Sequence, residues 1–160
     1  MKVNFGDEFG PASAAYPRKA QGGRQADQEV EQGLEIFVVF TDGPGTGVAL
    51  QTAGELAQEL RGHIRLFVPF EVPYTLPLNR PPVALEFLEG KIRNMAYKSR
   101  LDVAAQICLC RDKRRALKAL VGPESLVVVG GKKRWWPTAA QKLARQLDRD
   151  GRHVIFAELR

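Results

Sequence analysis

Ile36-Phe37-Val38-Val39-Phe40 runs directly into Thr41-Asp42-Gly43-Pro44-Gly45-Thr46-Gly47, after which Val48, Ala49, Ala53, Leu56, Ala57 and Leu60 recur at helical spacing until Gly62. An apolar run without alternation is the signature of a strand covered on both faces. A glycine-rich turn and a helix follow it, and Gly62 is the expected stop. The same unit then repeats. Ile64 to Phe70 reads as a second strand, and Pro69, Pro73, Pro77, Pro81 and Pro82 mark a long connection that is neither helix nor central strand. Residues 83–98 carry apolar positions at helical spacing despite Gly90, and Leu101 to Leu109 reads as a third strand. A helix over about 112–120 closes at Gly122-Pro123, Leu126 to Val129 forms a fourth strand, Pro137 opens a fourth helix and His153 to Glu158 makes the fifth strand. This βαβαβαβαβ order predicts an α/β fold: a doubly wound five-stranded parallel sheet over residues 35–160 with helices on both faces.

Residues 1–34 are rich in Gly, Ala, Gln and charge and show no sustained period, so they are expected to form a flexible N-terminal arm. No apolar run approaches the roughly 18 residues that cross a bilayer. Acidic residues and glycines stand where a signal peptide needs apolar ones, so no membrane association and a cytoplasmic location are expected. Cys108 and Cys110, the two cysteines of the chain, share one face of a strand and are expected to be buried free thiols. The two histidines, His63 and His153, begin strands far from them, which argues against a metal site. Charge is uneven: from Lys91 to Arg152 there are 16 Lys and Arg against 5 Asp and Glu, and the remainder of the chain is net acidic. Such a bias marks either an anionic partner or solvated helix faces.

Ligands of doubly wound sheets bind beyond the C-terminal ends of the strands, where the winding reverses. Three loops fall there. The first offers Gly43, Gly45 and Gly47, with Asp42 placed to accept a hydrogen bond, but its G-x-G-x-G spacing is not the dinucleotide fingerprint and also fits a tight turn. The second, Arg111 to Arg115, puts Lys113, Arg114 and Arg115 in the first turn of a helix, which disfavours cations by a few tenths of a kcal/mol each, roughly. A phosphate held there with Arg111 and Arg114 would offset that. The third, Gly130-Gly131-Lys132-Lys133-Arg134-Trp135-Trp136-Pro137-Thr138, combines three cations with two indoles. Trp135 and Trp136 are candidates for base stacking with cations on phosphates, or else one packs under the fourth helix and the other at an interface.

In the order of these motifs the chain resembles the universal stress proteins: a first strand ending in Thr41-Asp42-Gly43, a proline-bearing loop after the second, and a fourth ending in Val127-Val128-Val129-Gly130. The resemblance implies an adenine nucleotide alpha hydrolase-like fold and a nucleoside contact at Asp42. ATP-binding members carry G-x2-G-x9-G-[ST] after the fourth strand. Here Gly130 matches its first glycine, Lys133 replaces the second, and the Gly-Ser position falls at Leu143-Ala144. No cofactor is therefore expected, ATP included. Members without the motif imply a regulatory or sensor role and a homodimer through the last strand, here Val154-Ile155-Phe156-Ala157. Response-regulator receivers, also doubly wound, need paired acids after the first strand. Asp42 has no acidic neighbour, although Asp112 stands where an acceptor would.

The expected function is a non-catalytic module with a nucleotide or phosphorylated small molecule at its basic edge, with Asp42, Gly43, Gly45, Arg111, Arg114, Gly130, Gly131, Lys132, Lys133 and Arg134 as candidate contacts. The alternative is nucleic-acid binding through the basic, tryptophan-bearing C-terminal half. No nucleophile with a paired base is visible in the sequence, which argues against an enzyme.

Overall fold

The computed structural model describes residues 2–5 and 34–160. Its elements are β1 (Lys2–Phe5), β2 (Glu35–Val39), α1 (Gly43–Leu60), β3 (His63–Glu71), α2 (Leu85–Ser99), β4 (Val103–Cys110), α3 (Lys113–Leu120), β5 (Leu126–Gly131), α4 (Ala139–Arg149) and β6 (His153–Glu158). All strands pair in parallel, in the order β1-β4-β3-β2-β5-β6. The chain winds from β2 outward through β3 to β4 and then returns to β5 on the other side, so the switch point lies between β2 and β5.

The doubly wound parallel sheet holds as expected, but it has a sixth strand. Lys2–Phe5, assigned to the arm by its composition, pairs with β4 from Lys2↔Gln106 to Phe5↔Leu109. Four residues are too short to show a period, and an open β4 edge supplies the ladder that composition does not reveal. The rest of the expected arm, residues 1 and 6–33, lies outside the described residues.

Period-two alternation divides the core into two layers. Ile36, Val38, Leu66, Val68, Ile107, Leu109 and Val128 face α1 and α2, whereas Phe37, Val39, Phe67, Cys108, Cys110, Val127 and Val129 face α3 and α4. Every one of these side chains is buried, and each large one contributes about 1.5–3 kcal/mol relative to exposure.

Pro69, which the sequence places both within the strand Ile64 to Phe70 and among the prolines of the connection, lies inside β3. β2 ends at Val39↔Phe67, and the Phe40 N–H donates to the Phe67 carbonyl at 2.9 Å. Pro69 shares the parity of Phe67, so its missing N–H faces the side on which β2 has already ended, while pairing with β4 continues through Glu71↔Cys110. Two element boundaries also differ. Arg61, with φ 50°, takes the left-handed cap of α1 in place of Gly62. Gly62 is needed because a Cβ there would meet the Leu34 carbonyl at 2.7 Å. Leu101 precedes β4, and its side chain would meet a Cβ at Gly54 at 2.8 Å, which brings the chain entering β4 close against α1.

Arg152 is 5% exposed, and its guanidinium donates to the Lys118 carbonyl at 3.0 Å, to the Val121 carbonyl at 2.7 and 3.1 Å, and to the Asp150 carbonyl at 3.0 Å. It thereby caps the C-terminal end of α3, where a cation also complements the helix dipole. Among the described residues no helix is long and apolar enough to cross a membrane. Arg152→Ala leaves these buried carbonyls without donors and is expected to cost about 3 kcal/mol in denaturant unfolding. Arg152→Lys recovers only part of that loss, because an ammonium cannot reproduce the fork. Wild-type stability in Arg152→Ala would show that the cap is dispensable.

Candidate functional site

Beyond the C-terminal ends of β2 to β5 the chain leaves a cleft of about 930 Å³. It is lined by Phe40, Thr41, Asp42, Pro69, Glu71 and Tyr74, by Arg111 to Arg114, and by Gly131, Lys132, Arg134, Thr138 and Lys142 among others. Cations from the ends of β4 and β5 and from the starts of α3 and α4 thus meet in one concavity, which is the convergence expected for loops on one sheet edge. The volume falls within the usual range for small-molecule sites.

Thr41 and Asp42 reach this cleft, but Gly43, Gly45 and Gly47 of the same turn do not line it. Asp42 is the N-cap of α1, and its carboxylate accepts from the Gly45 N–H at 2.6 Å. Thr41 donates its hydroxyl to the Gly130 carbonyl at 2.8 Å, and the Thr41 N–H donates to the buried Thr46 hydroxyl at 3.1 Å. Gly45 and Gly130 are in backbone contact: a Cβ on Gly130 would stand 1.9 Å from the Gly45 carbonyl oxygen, and one on Gly45 would stand 2.7 Å from that of Gly130. These two glycines lock α1 onto β5. Gly131 is similarly closed by Ala140, whose Cβ would lie 2.9 Å from an added one. Gly43 and Gly47 have free space around them and border a separate groove of about 660 Å³ between α1 and α2.

The start of α3 carries its own counter-charges. Asp112 caps it by accepting from the Arg114 N–H at 2.8 Å and the Arg115 N–H at 3.2 Å. Glu71 accepts from the Lys113 N–H at 3.2 Å, and the Lys113 ammonium lies 3.9 Å from the same carboxylate. Two protein carboxylates thus stand where an external anion would offset three first-turn cations. Arg111 is committed to the proline loop: it donates to the carbonyls of Val72 and Leu76 at 2.9 Å each and to that of Pro73, and stacks over the Tyr74 ring at 5.1 Å. Sequence alone gave no sign of this clamp, because its acceptors are backbone groups 35 to 39 residues away.

Lys132, Lys133 and Arg134 are exposed, and the loop bearing them is anchored at its far end by a capping box. There the Thr138 hydroxyl accepts from the Gln141 N–H at 3.3 Å and the Thr138 N–H donates to the Gln141 side chain at 2.8 Å. Trp135 and Trp136 are 96% and 81% exposed, so neither packs under α4. Lys133 and the two indoles stand outside the cleft lining.

Cys108 and Cys110 are buried free thiols on the α3/α4 side of β4. Hydrogen bonding with Cys108, then burial, pushes the Cys110 thiol above its ordinary value, so it stays protonated and poorly nucleophilic. His63 and His153 begin β3 and β6, at the end of the sheet opposite the cleft. Among the described residues no group of three or more His, Cys, Asp or Glu is placed to hold a metal ion.

The two kinds of glycine separate experimentally. Gly130→Ala is expected to destabilise the fold by about 3 kcal/mol or more, since a backbone atom occupies the place of its Cβ. Gly43→Ala, in open space at a helical position, is expected to be neutral or to stabilise by about 0.5–1 kcal/mol. Denaturant melts of both variants test this, and a stable Gly130→Ala protein would remove the packing role.

The sequence matches no family model and no curated protein. Among solved structures, a universal stress protein in complex with cAMP aligns at 17% identity with TM-score 0.49, over 79% of this chain and 98% of that one. A protein of the universal stress protein family from Burkholderia pseudomallei aligns at 15% identity with TM-score 0.46, over 78% and 96%. A macrolide-efflux protein from Streptococcus pneumoniae aligns at 13% identity with TM-score 0.43, over 78% of this chain and 45% of that one. At these identities the likeness is one of fold.

Proposed function

We propose that this chain is a non-catalytic sensor or regulatory module whose cleft takes a phosphorylated small molecule, nucleotides included. The observation that carries this is the meeting of Lys132, Arg134, Lys113, Arg114 and Lys142 in one concavity at the C-terminal ends of the parallel strands. In this arrangement cationic side chains supply the attraction that a glycine-rich phosphate loop supplies through backbone N–H groups. Lys133 stands at the position of a motif glycine, and Leu143 and Ala144 lie within α4, so the residues that would form an amide cradle of that kind are replaced. The cleft's hydrogen-bonding groups favour binding over chemistry. Thr41 and Thr138 are engaged with backbone groups, and Asp42 and Asp112 are spent on helix caps.

A thermal-shift screen against ATP, ADP, cyclic nucleotides and inorganic phosphate tests the proposal. A ligand at a hundredfold excess over its Kd contributes about 2.7 kcal/mol, which corresponds to roughly 5–10 °C for a domain of this size. Lys132→Ala combined with Arg134→Ala is expected to abolish the shift while leaving the unliganded melting temperature unchanged, since both side chains are exposed. No shift with any compound, or an equal shift in the double variant, would overturn the cleft as the site.

The module is further proposed to self-associate through β6. This strand forms an edge of the sheet, with one side of its ladder unpaired among the described residues, and Val154, Ile155 and Phe156 are only partly buried. Sedimentation velocity is expected to show a dimer that Val154→Pro dissociates: His153 and Leu159 donate to β5, so by alternation the N–H of Val154 faces the open edge, and proline removes that donor without touching the β5 ladder. A monomer at all concentrations would exclude this contact.

A further inference from the structure

Trp135 and Trp136 are the only tryptophans of the chain, and both stand in water at 96% and 81% exposure. Their loop is held at both ends. Gly131 closes against Ala140 on one side, and the capping box at Thr138 and Gln141 fixes the other, with a further Thr138 hydroxyl contact to the Lys132 carbonyl at 3.4 Å. Three exposed cations precede the indoles directly, and the cleft beside them carries more from α3 and α4.

We infer that this loop, together with the adjoining cleft rim, binds single-stranded nucleic acid. The indoles would stack on exposed bases, and Lys132, Lys133 and Arg134 would meet the flanking phosphates. Unpaired bases are required, because a duplex keeps the π faces of its bases within its own stack. An anionic bilayer would also attract indoles and cations, but it presents a surface. Lys132 and Arg134 line a concavity of about 930 Å³, which a strand can enter and a bilayer cannot. The inference stands apart from the sensor proposal. It needs no mononucleotide in the cleft, and the sensor needs neither indole.

Because both tryptophans lie in this loop, tryptophan emission, excited at wavelengths that tyrosine does not absorb, reports on it alone. Titration with oligo-dT and oligo-U at low salt is expected to quench the emission, and the relative affinities separate DNA from RNA as the source of the strand. For four phosphate contacts the slope of log K against log salt is about −3, and replacing Lys132, Lys133 and Arg134 by Ala reduces its magnitude by roughly 2. Anisotropy of a labelled oligonucleotide then measures Trp135→Ala with Trp136→Ala. Loss of two stacked bases weakens binding at least about 25-fold, and a wild-type melting temperature confirms that the variant is folded.

Three results would overturn the inference. The first is no quenching by either oligonucleotide. The second is quenching and a blue shift with phosphatidylserine vesicles but not with oligonucleotides, which would make the loop a membrane contact. The third is oligonucleotide binding undiminished in the double tryptophan variant, which would reduce it to general charge attraction. A mononucleotide that fails to shift the melting temperature would count against the sensor and leave these outcomes as they are.

Discussion

The contact between Gly45 and Gly130 decides where this sheet can accept anything. Two backbones approach so closely that a Cβ on Gly130 would sit 1.9 Å from the Gly45 carbonyl oxygen, and the Thr41 hydroxyl ties the same junction at 2.8 Å. The contact draws the N-terminus of α1 onto the end of β5, across the point where the winding reverses. In open α/β sheets that crevice is the usual place for a ligand's phosphates. Here protein backbone closes its α1 side, and the Asp42 carboxylate takes up the Gly45 N–H at 2.6 Å. The open volume is displaced toward α3 and α4, where side chains rather than amides provide the polarity.

A second constraint follows from the helix starts around that displaced cleft. The first N–H groups of α3 are shared between Asp112 and Glu71, and those of α4 are partly met by its own capping box. With its principal donors satisfied internally, the site can attract an anion chiefly through lysine and arginine side chains. Such groups are long, hydrated and mobile compared with a fixed amide cradle, and they distinguish poorly between one phosphate and another. Arg111 is the exception in its rigidity, and its donors are already taken by the proline loop. The arrangement therefore suits a site that reads charge and shape more than one that orients a substrate for reaction.

What the sequence revealed and what it concealed divide along physical lines. Strands buried on both faces leave unbroken apolar runs, so Ile36 to Val39 and Leu126 to Val129 were legible, and the helices between them followed from apolar spacing. Asp42 was legible as a hydrogen-bond acceptor, but the sequence did not distinguish the helix cap it forms from the ligand contact expected of it. Arg111 and Arg152 were not. Each is one cation among many in a basic stretch, and only the fold reveals that their partners are backbone carbonyls far along the chain. Pro69 was ambiguous, read both as strand and as connection, because a proline's tolerance depends on which neighbour its missing donor faces, a fact of register and not of composition. Lys2–Phe5 was concealed for a related reason: an edge strand borrows its order from the strand it joins.

The indoles present the sharpest mismatch between local chemistry and packing. Burying a side chain of roughly 200 Å² would contribute about 5 kcal/mol, yet Trp135 and Trp136 remain in water a few residues from the apolar inner face of α4, where Ala144 and Leu147 are buried. The capping box accounts for part of this. It fixes Thr138 at the start of α4, and the proline at 137 stiffens the same junction, so the direction in which the loop leaves the helix is set. Both indoles precede the N-cap Thr138, and neither is laid against the inner face of α4. Their exposure is built into the backbone, and because three cations share that loop, any partner covering the indoles must also accept positive charge.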